Sequence, residues 1–176
     1  KKNGSGILAV EYEGQSLQLP ITVSGQDEAY HVDYITDVMP VVSALGCNAG
    51  TCHGAKDGKN GFKLSLRGYD PIYDVRAFTD DHAGRRINFA SPDDSLMLLK
   101  STAGVPHEGG QRTKPGEDYY EILKGWIAEG AKLDESSSRV TGIRVFPMNP
   151  VVGKIGDQQQ MQVIATYANG IERDVT

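Results

Sequence analysis

Cys47-Asn48-Ala49-Gly50-Thr51-Cys52-His53 contains the only two cysteines of the chain, with four residues between them and a histidine directly after the second. This stretch constrains the fold more than any other, because whatever chemistry engages the two sulfurs fixes a loop here. A neighbouring Cys and His do not turn easily onto one zinc ion. They do suit a flat macrocycle whose edge takes the thiols and whose centre takes the imidazole. That is the logic of C-x-x-C-H, where haem is held by two thioethers and an axial histidine. The spacing here is longer than in that motif. The additional residues are expected to bulge away from the haem edge, with Gly50 adopting positive φ at no steric cost.

Three other readings of the same residues stay open: a local disulfide, two free thiols, and a Cys/His zinc site. A disulfide suits an exported protein but leaves His53 unexplained. Zinc requires further ligands at short spacing, and no second C-x-x-C or H-x₃-H follows.

At 176 residues the chain has room for one domain of ordinary size, or a small one with appendages. A net charge of -5 argues against nucleic acid, which calls for a basic stripe. No apolar run approaches the roughly 18 residues of a membrane span. The chain starts without methionine and stops in strand-like sequence, as a piece of a longer protein would.

Leu8, Val10 and Tyr12, then Leu17, Leu19, Ile21 and Val23, alternate with polar residues across a Glu13-Gly14-Gln15-Ser16 turn, which predicts a hairpin over 7–23. Pro20 marks an edge strand. Tyr34, Val38, Val41, Val42 and Leu45 fall at helical spacing, with Thr36 or Asp37 as N-cap and Gly46 as terminator, so a short helix leads into the cysteine loop. Phe62–Arg67 alternates as a short extended segment. Residues 74–82 predict a helix with Val75 and Phe78 inward. Ser91-Pro92-Asp93-Asp94 opens another helix over 95–100. The clearest helix is 115–131, with Tyr119, Ile122, Leu123, Trp126 and Ile127 on one face and Gly130 at its end.

The segments C-N-A-G-T-C-H-G, G-F-K-L-S-L-R-G-Y-D-P, G-R-R-I, S-P-D-D-S-L-M-L-L-K, V-P-H-E-G-G-Q-R and Y-E-I-L-K-G-W-I-A-E-G-A, spread in order over residues 33–133, resemble the planctomycete-type cytochrome c domain. That branch shares the four-residue haem spacing. The flanks resemble a second family. Val140–Pro147 and Gln160–Thr176, with the turn Ala168-Asn169-Gly170, look like the opening strands of a bacterial Ig-like domain, and 7–23 like the closing strands of one.

The resemblance implies an α+β chain: a mainly α, cytochrome c-like haem domain over 28–136, flanked by Ig-like strands in 1–27 and 137–176. The two flanks are expected to pair with each other, within one chain or in a strand-swapped dimer, because half-domains leave unpaired edges. One haem c, covalent through Cys47 and Cys52, takes His53 as its proximal ligand. Cytochromes of the usual class place a methionine in the loop before the last helix. Here that loop reads Val105-Pro106-His107-Glu108 and has no methionine, which makes His107 the expected second axial ligand and Met97 its rival. Arg85, Arg86 and Arg112 are candidates to bind the haem propionates through bidentate hydrogen bonds. His31 and His82 read as solvated.

The function implied is one-electron transfer at low potential, not enzyme catalysis. Its partner would be an unspecified redox protein, and other domains of a larger parent would adjoin it. Because thioethers form outside the bacterial cytoplasm, the location implied is periplasmic or otherwise exported. Two alternatives remain: a structural or binding module with zinc or a disulfide, and a five-coordinate haem sensor or enzyme.

Overall fold

In the computed structural model, which describes residues 2–82 and 84–176, the alternating N-terminal sequence folds as the expected hairpin. Strand β1 (Gly4–Tyr12) pairs antiparallel with β2 (Gln15–Val23) in a register that sets Leu8 opposite Leu19 and Val10 opposite Leu17. These apolar residues share one face, and all of them are exposed. The hairpin belongs to a compact unit ending at His31, and a second unit spans Val32–Thr176.

The second unit begins with a π-helical turn, Tyr34–Val38, that runs straight into α1 (Met39–Ala44). Its cap is Asp33, not Thr36 or Asp37. The Asp33 carboxylate accepts from the Thr36 amide at 2.8 Å, and the Asp37 carboxylate accepts in return from the Asp33 amide at 2.9 Å. The early start has a packing reason: Tyr34 and Ile35 are both core residues. Next, α2 (Pro71–Thr79) starts three residues before the expected helix, because Asp70 caps the Tyr73 amide at 3.0 Å and Pro71 takes the first turn. Pro92–Asp94 forms a 3₁₀ turn, and α3 (Leu96–Ser101) follows. The last helix, α4 (Asp118–Ala128), is shorter than its sequence pattern. Its buried face carries Tyr120, Leu123, Trp126 and Ile127, while Tyr119 turns outward.

The expected extended segment after Phe62 is not a strand of a sheet. It makes one bridge, Lys59 to Phe62, and then lends the Leu64 amide to the His53 carbonyl at 2.8 Å. It ends in a 3₁₀ turn at Leu66–Gly68. Val38, Val42, Leu64, Leu98, Leu123, Trp126 and Ile127 are fully buried where these elements meet.

β3 (Val140–Phe146), β4 (Gln162–Tyr167) and β5 (Glu172–Asp174) form an antiparallel sheet in the order β3-β4-β5. The architecture is therefore α+β. β1 and β2 make a two-stranded sheet, and β3–β5 make a three-stranded one. The C-terminal segment is tied to the first helical turn by polar contacts. Ala165 and Tyr167 are buried, and the Arg173 guanidinium donates to the Asp37 carboxylate at 2.7 Å. The Ser137 hydroxyl donates to Asp33. Helices and C-terminal sheet belong to one compact unit, Val32–Thr176. Among the described residues no helix is long and apolar enough to cross a membrane.

Candidate cofactor cleft

The cysteine loop is wound tightly after α1. Gly46, at φ 77, ends the helix as its position suggested. The Cys47 carbonyl then accepts from the His53 amide at 2.9 Å, and the Ala49 carbonyl accepts from both Cys52 and Gly54, at 2.9 and 3.1 Å. Asn48 turns inward, is buried, and donates to the Ser43 hydroxyl at 2.8 Å. Gly50 is exposed and does not adopt positive φ, contrary to expectation. The glycine that the loop requires is Gly54, where a Cβ would lie 2.1 Å from the Asn48 carbonyl oxygen. The four residues between the cysteines are wound into this coil.

This winding puts Cys47, Cys52 and His53 on the wall of a cleft of about 650 Å³, within the range of small-molecule and cofactor sites. The same cleft is lined by His107, Arg85, Arg86 and Arg112, and by Met97. Every residue singled out from the sequence therefore faces one space.

His53 Nδ1 lies 3.1 Å from the Phe62 carbonyl oxygen. A carbonyl can only accept, so Nδ1 carries the proton and the neutral ring presents the Nε2 lone pair. Burial lowers the His53 pKa most; the Phe62 carbonyl opposes this, while His107, Arg86 and Lys100 reinforce it. The imidazole is thus held neutral and in one tautomer. Its ring also packs against Phe62, centroids 4.5 Å apart.

His107 repeats the arrangement. Its Nδ1 is 2.9 Å from the Gly110 carbonyl oxygen, and the Gly110 amide donates back to the His107 carbonyl at 2.9 Å. Lys100 at the end of α3 secures the preceding residue by donating to the Pro106 carbonyl at 2.5 Å. His107 too, when neutral, presents Nε2.

The two thiols are free. Burial, followed by the neighbouring Cys52, pushes the Cys47 thiol up to about 11, with Arg112 drawing it partly back. It is a protonated thiol at neutral pH. Among the described residues no three His, Cys, Asp or Glu side chains form a group able to hold a metal ion.

The arginines differ. Arg86 is buried and donates to the carbonyls of Ala77 at 2.9 Å and Gly61 at 3.0 Å, with its guanidinium 4.3 Å from the centre of the Phe62 ring. It braces the cleft wall. Arg85 and Arg112 are exposed at the cleft, and their guanidinium groups have no hydrogen bond or ion pair among the described residues. His82, expected in solvent, is exposed yet also lines the cleft.

Phe62 went unrecognised in the sequence, although its ring and carbonyl together fix His53. Its apolar-polar alternation resembles that of any short strand, and a carbonyl contact leaves no residue signature. Lys100 was missed because it reads as an ordinary C-terminal helix cation. No family model matches the chain, and neither a curated protein nor a solved structure is significantly similar to it.

Proposed function

We propose that Val32 to about residue 136 is an electron-transfer cytochrome domain of the planctomycete type, holding one haem c through Cys47 and Cys52. His53 and His107 are its axial ligands. The observation that carries this reading is the pair of matched imidazoles. Each has Nδ1 committed to a backbone carbonyl, and each lines the cleft that also holds two unpaired thiols. Carbonyl-anchored Nδ1 is how a protein fixes the tautomer and orientation of a metal-bound histidine.

The donor set fits the group. The walls include Phe62, Phe78 and Leu123, which suit a flat apolar macrocycle. Five cations, Lys59, Arg85, Arg86, Lys100 and Arg112, line the cleft against a single carboxylate, Glu108. In a chain of net charge -5, that local excess suits a ligand with two carboxylates, and Arg85 and Arg112 have guanidinium groups to offer them. When bound, haem supplies reversible one-electron chemistry at iron. The protein's part is to anchor, orient and bury it. Two histidine ligands set a lower potential than histidine with methionine. Thioether attachment places the domain outside the cytoplasm, in a larger exported protein where β3–β5 would begin an Ig-like module.

Met97 is the competing ligand, since it lines the same cleft from α3. The test is direct. Denatured holoprotein should keep its porphyrin, with a pyridine haemochrome spectrum of the thioether type. His107→Ala should become high-spin and bind carbon monoxide in the reduced form. Haem extracted intact by acid-acetone would end the covalent reading. A low-spin His107→Ala protein beside a high-spin Met97→Ala protein would move the ligand to Met97.

A further inference from the structure

Gly109 lies two residues beyond His107, in the turn closed by the His107–Gly110 hydrogen bonds. A Cβ built on Gly109 would fall 2.8 Å from His107 Cε1, 3.1 Å from Nε2 and 3.4 Å from Nδ1. All three nearest atoms belong to the one imidazole. The first distance is below any normal carbon contact, so the ring would have to shift, and any shift works against its bond to the Gly110 carbonyl. The edge concerned includes Nε2, the nitrogen left unprotonated by that bond.

We infer that Gly109 is a positioning residue for His107: its missing side chain is the space that lets the imidazole lie over the turn and present Nε2 to the cleft. The inference rests on the reading of His107 as a ligand and adds a second requirement to it. A histidine in this loop is not enough; the residue two positions later must lack a Cβ. The same turn needs Gly110 for a different reason, its φ of 71. Gly109 and Gly110 therefore act by making room and fixing shape.

The experiment uses haem-loaded protein with Gly109→Ala, His107→Ala and the double substitution. Gly109→Ala should keep covalent haem and native far-UV circular dichroism. It should gain high-spin character, and carbon monoxide should bind the reduced form about tenfold faster or more than wild type, as expected for loss of a contact of this kind. Free imidazole should restore the low-spin spectrum. In the His107→Ala background the alanine should change nothing, because the ring it strikes is gone. If Gly109→Ala fails to accumulate, the double variant decides. Recovery supports the inference, and continued failure places the fault in the backbone and overturns it. A Gly109→Ala protein with wild-type spectrum and ligand kinetics, beside a high-spin His107→Ala, overturns the positioning role while leaving the ligand in place. An unchanged His107→Ala spectrum removes the ligand reading itself.

Discussion

Asp74 is a carboxylate with almost no exposure, held beneath α2 by the Ser65 amide at 2.5 Å and the Ser65 hydroxyl at 2.7 Å. The two hydrogen bonds favour its charge, burial opposes it, and burial wins, so its pKa stands above the ordinary value. A folded-state pKa above the unfolded one means that the folded protein holds the extra proton between them. The stability this contributes is present below the unfolded pKa and is lost as pH rises through the folded value. Asp74→Asn keeps both contacts, its oxygen accepting from the amide and its NH₂ donating to the hydroxyl, and it removes the charge. The variant should therefore gain on wild type as pH rises from 4 to 7, read as the difference in urea midpoints. A difference that shrinks with pH would refute the assignment. Sequence alone placed Asp74 in a helix but not inward, since an acidic residue in a first turn reads as a solvated partner of the helix dipole. His53 and His107 were legible because they stand in motifs. Their tautomers were not, because each depends on a backbone carbonyl, which leaves no residue signature.

At the scale of elements, the cysteine loop shows where spacing informs and where it stops. The pattern gave the preceding helix and the stop at Gly46. It assigned the wrong glycine to the turn, because every glycine is equally permissive on paper and only the close approach of Gly54 to Asn48 separates them. Gly54→Ala would drive a Cβ into the Asn48 carbonyl group and to 2.9 Å from the Ala49 oxygen. Backbone cannot swing aside, so a loss of about 3 kcal/mol is expected. Gly50→Ala meets only the Leu66 Cδ1 at 3.7 Å and should stay within about 0.5 kcal/mol of wild type. Urea unfolding of both variants checks the pair, and equal losses would contradict the loop geometry. Helix limits were missed in a related way. Asp33 and Asp70 act as caps from outside the apolar periodicity, where a three- or four-residue shift leaves the pattern almost unchanged.

For the molecule as a whole, the sequence located the strands but not what covers them. Strand periodicity says that one face is buried, never against what. Pairing the two flanks is the economical solution to unpaired edges; within Val32–Thr176 the C-terminal sheet also reaches the first helical turn through the Arg173–Asp37 pair. Asp37 is nearly buried and is also committed to the Asp33 amide, so this contact ties β5 to the cap of the helix that leads into the cysteine loop. A sheet docked in this way should unfold together with the helices. Trp126 reports on that, being the only tryptophan and fully buried on α4, with its indole donating to the Lys132 carbonyl at 2.9 Å. Arg173→Ala lies in β5, outside the helices, yet it should lower the unfolding midpoint followed by Trp126 fluorescence by about 1 kcal/mol, the scale of a partly exposed ion pair. Asp37→Asn should weaken the same transition, and the double variant should lose less than the sum, since both substitutions break one contact. If Trp126 unfolds at the wild-type midpoint in Arg173→Ala while the sheet signal is lost early, the strands are a separate module resting on the helices. The link from their docking to the cysteine loop would then be broken.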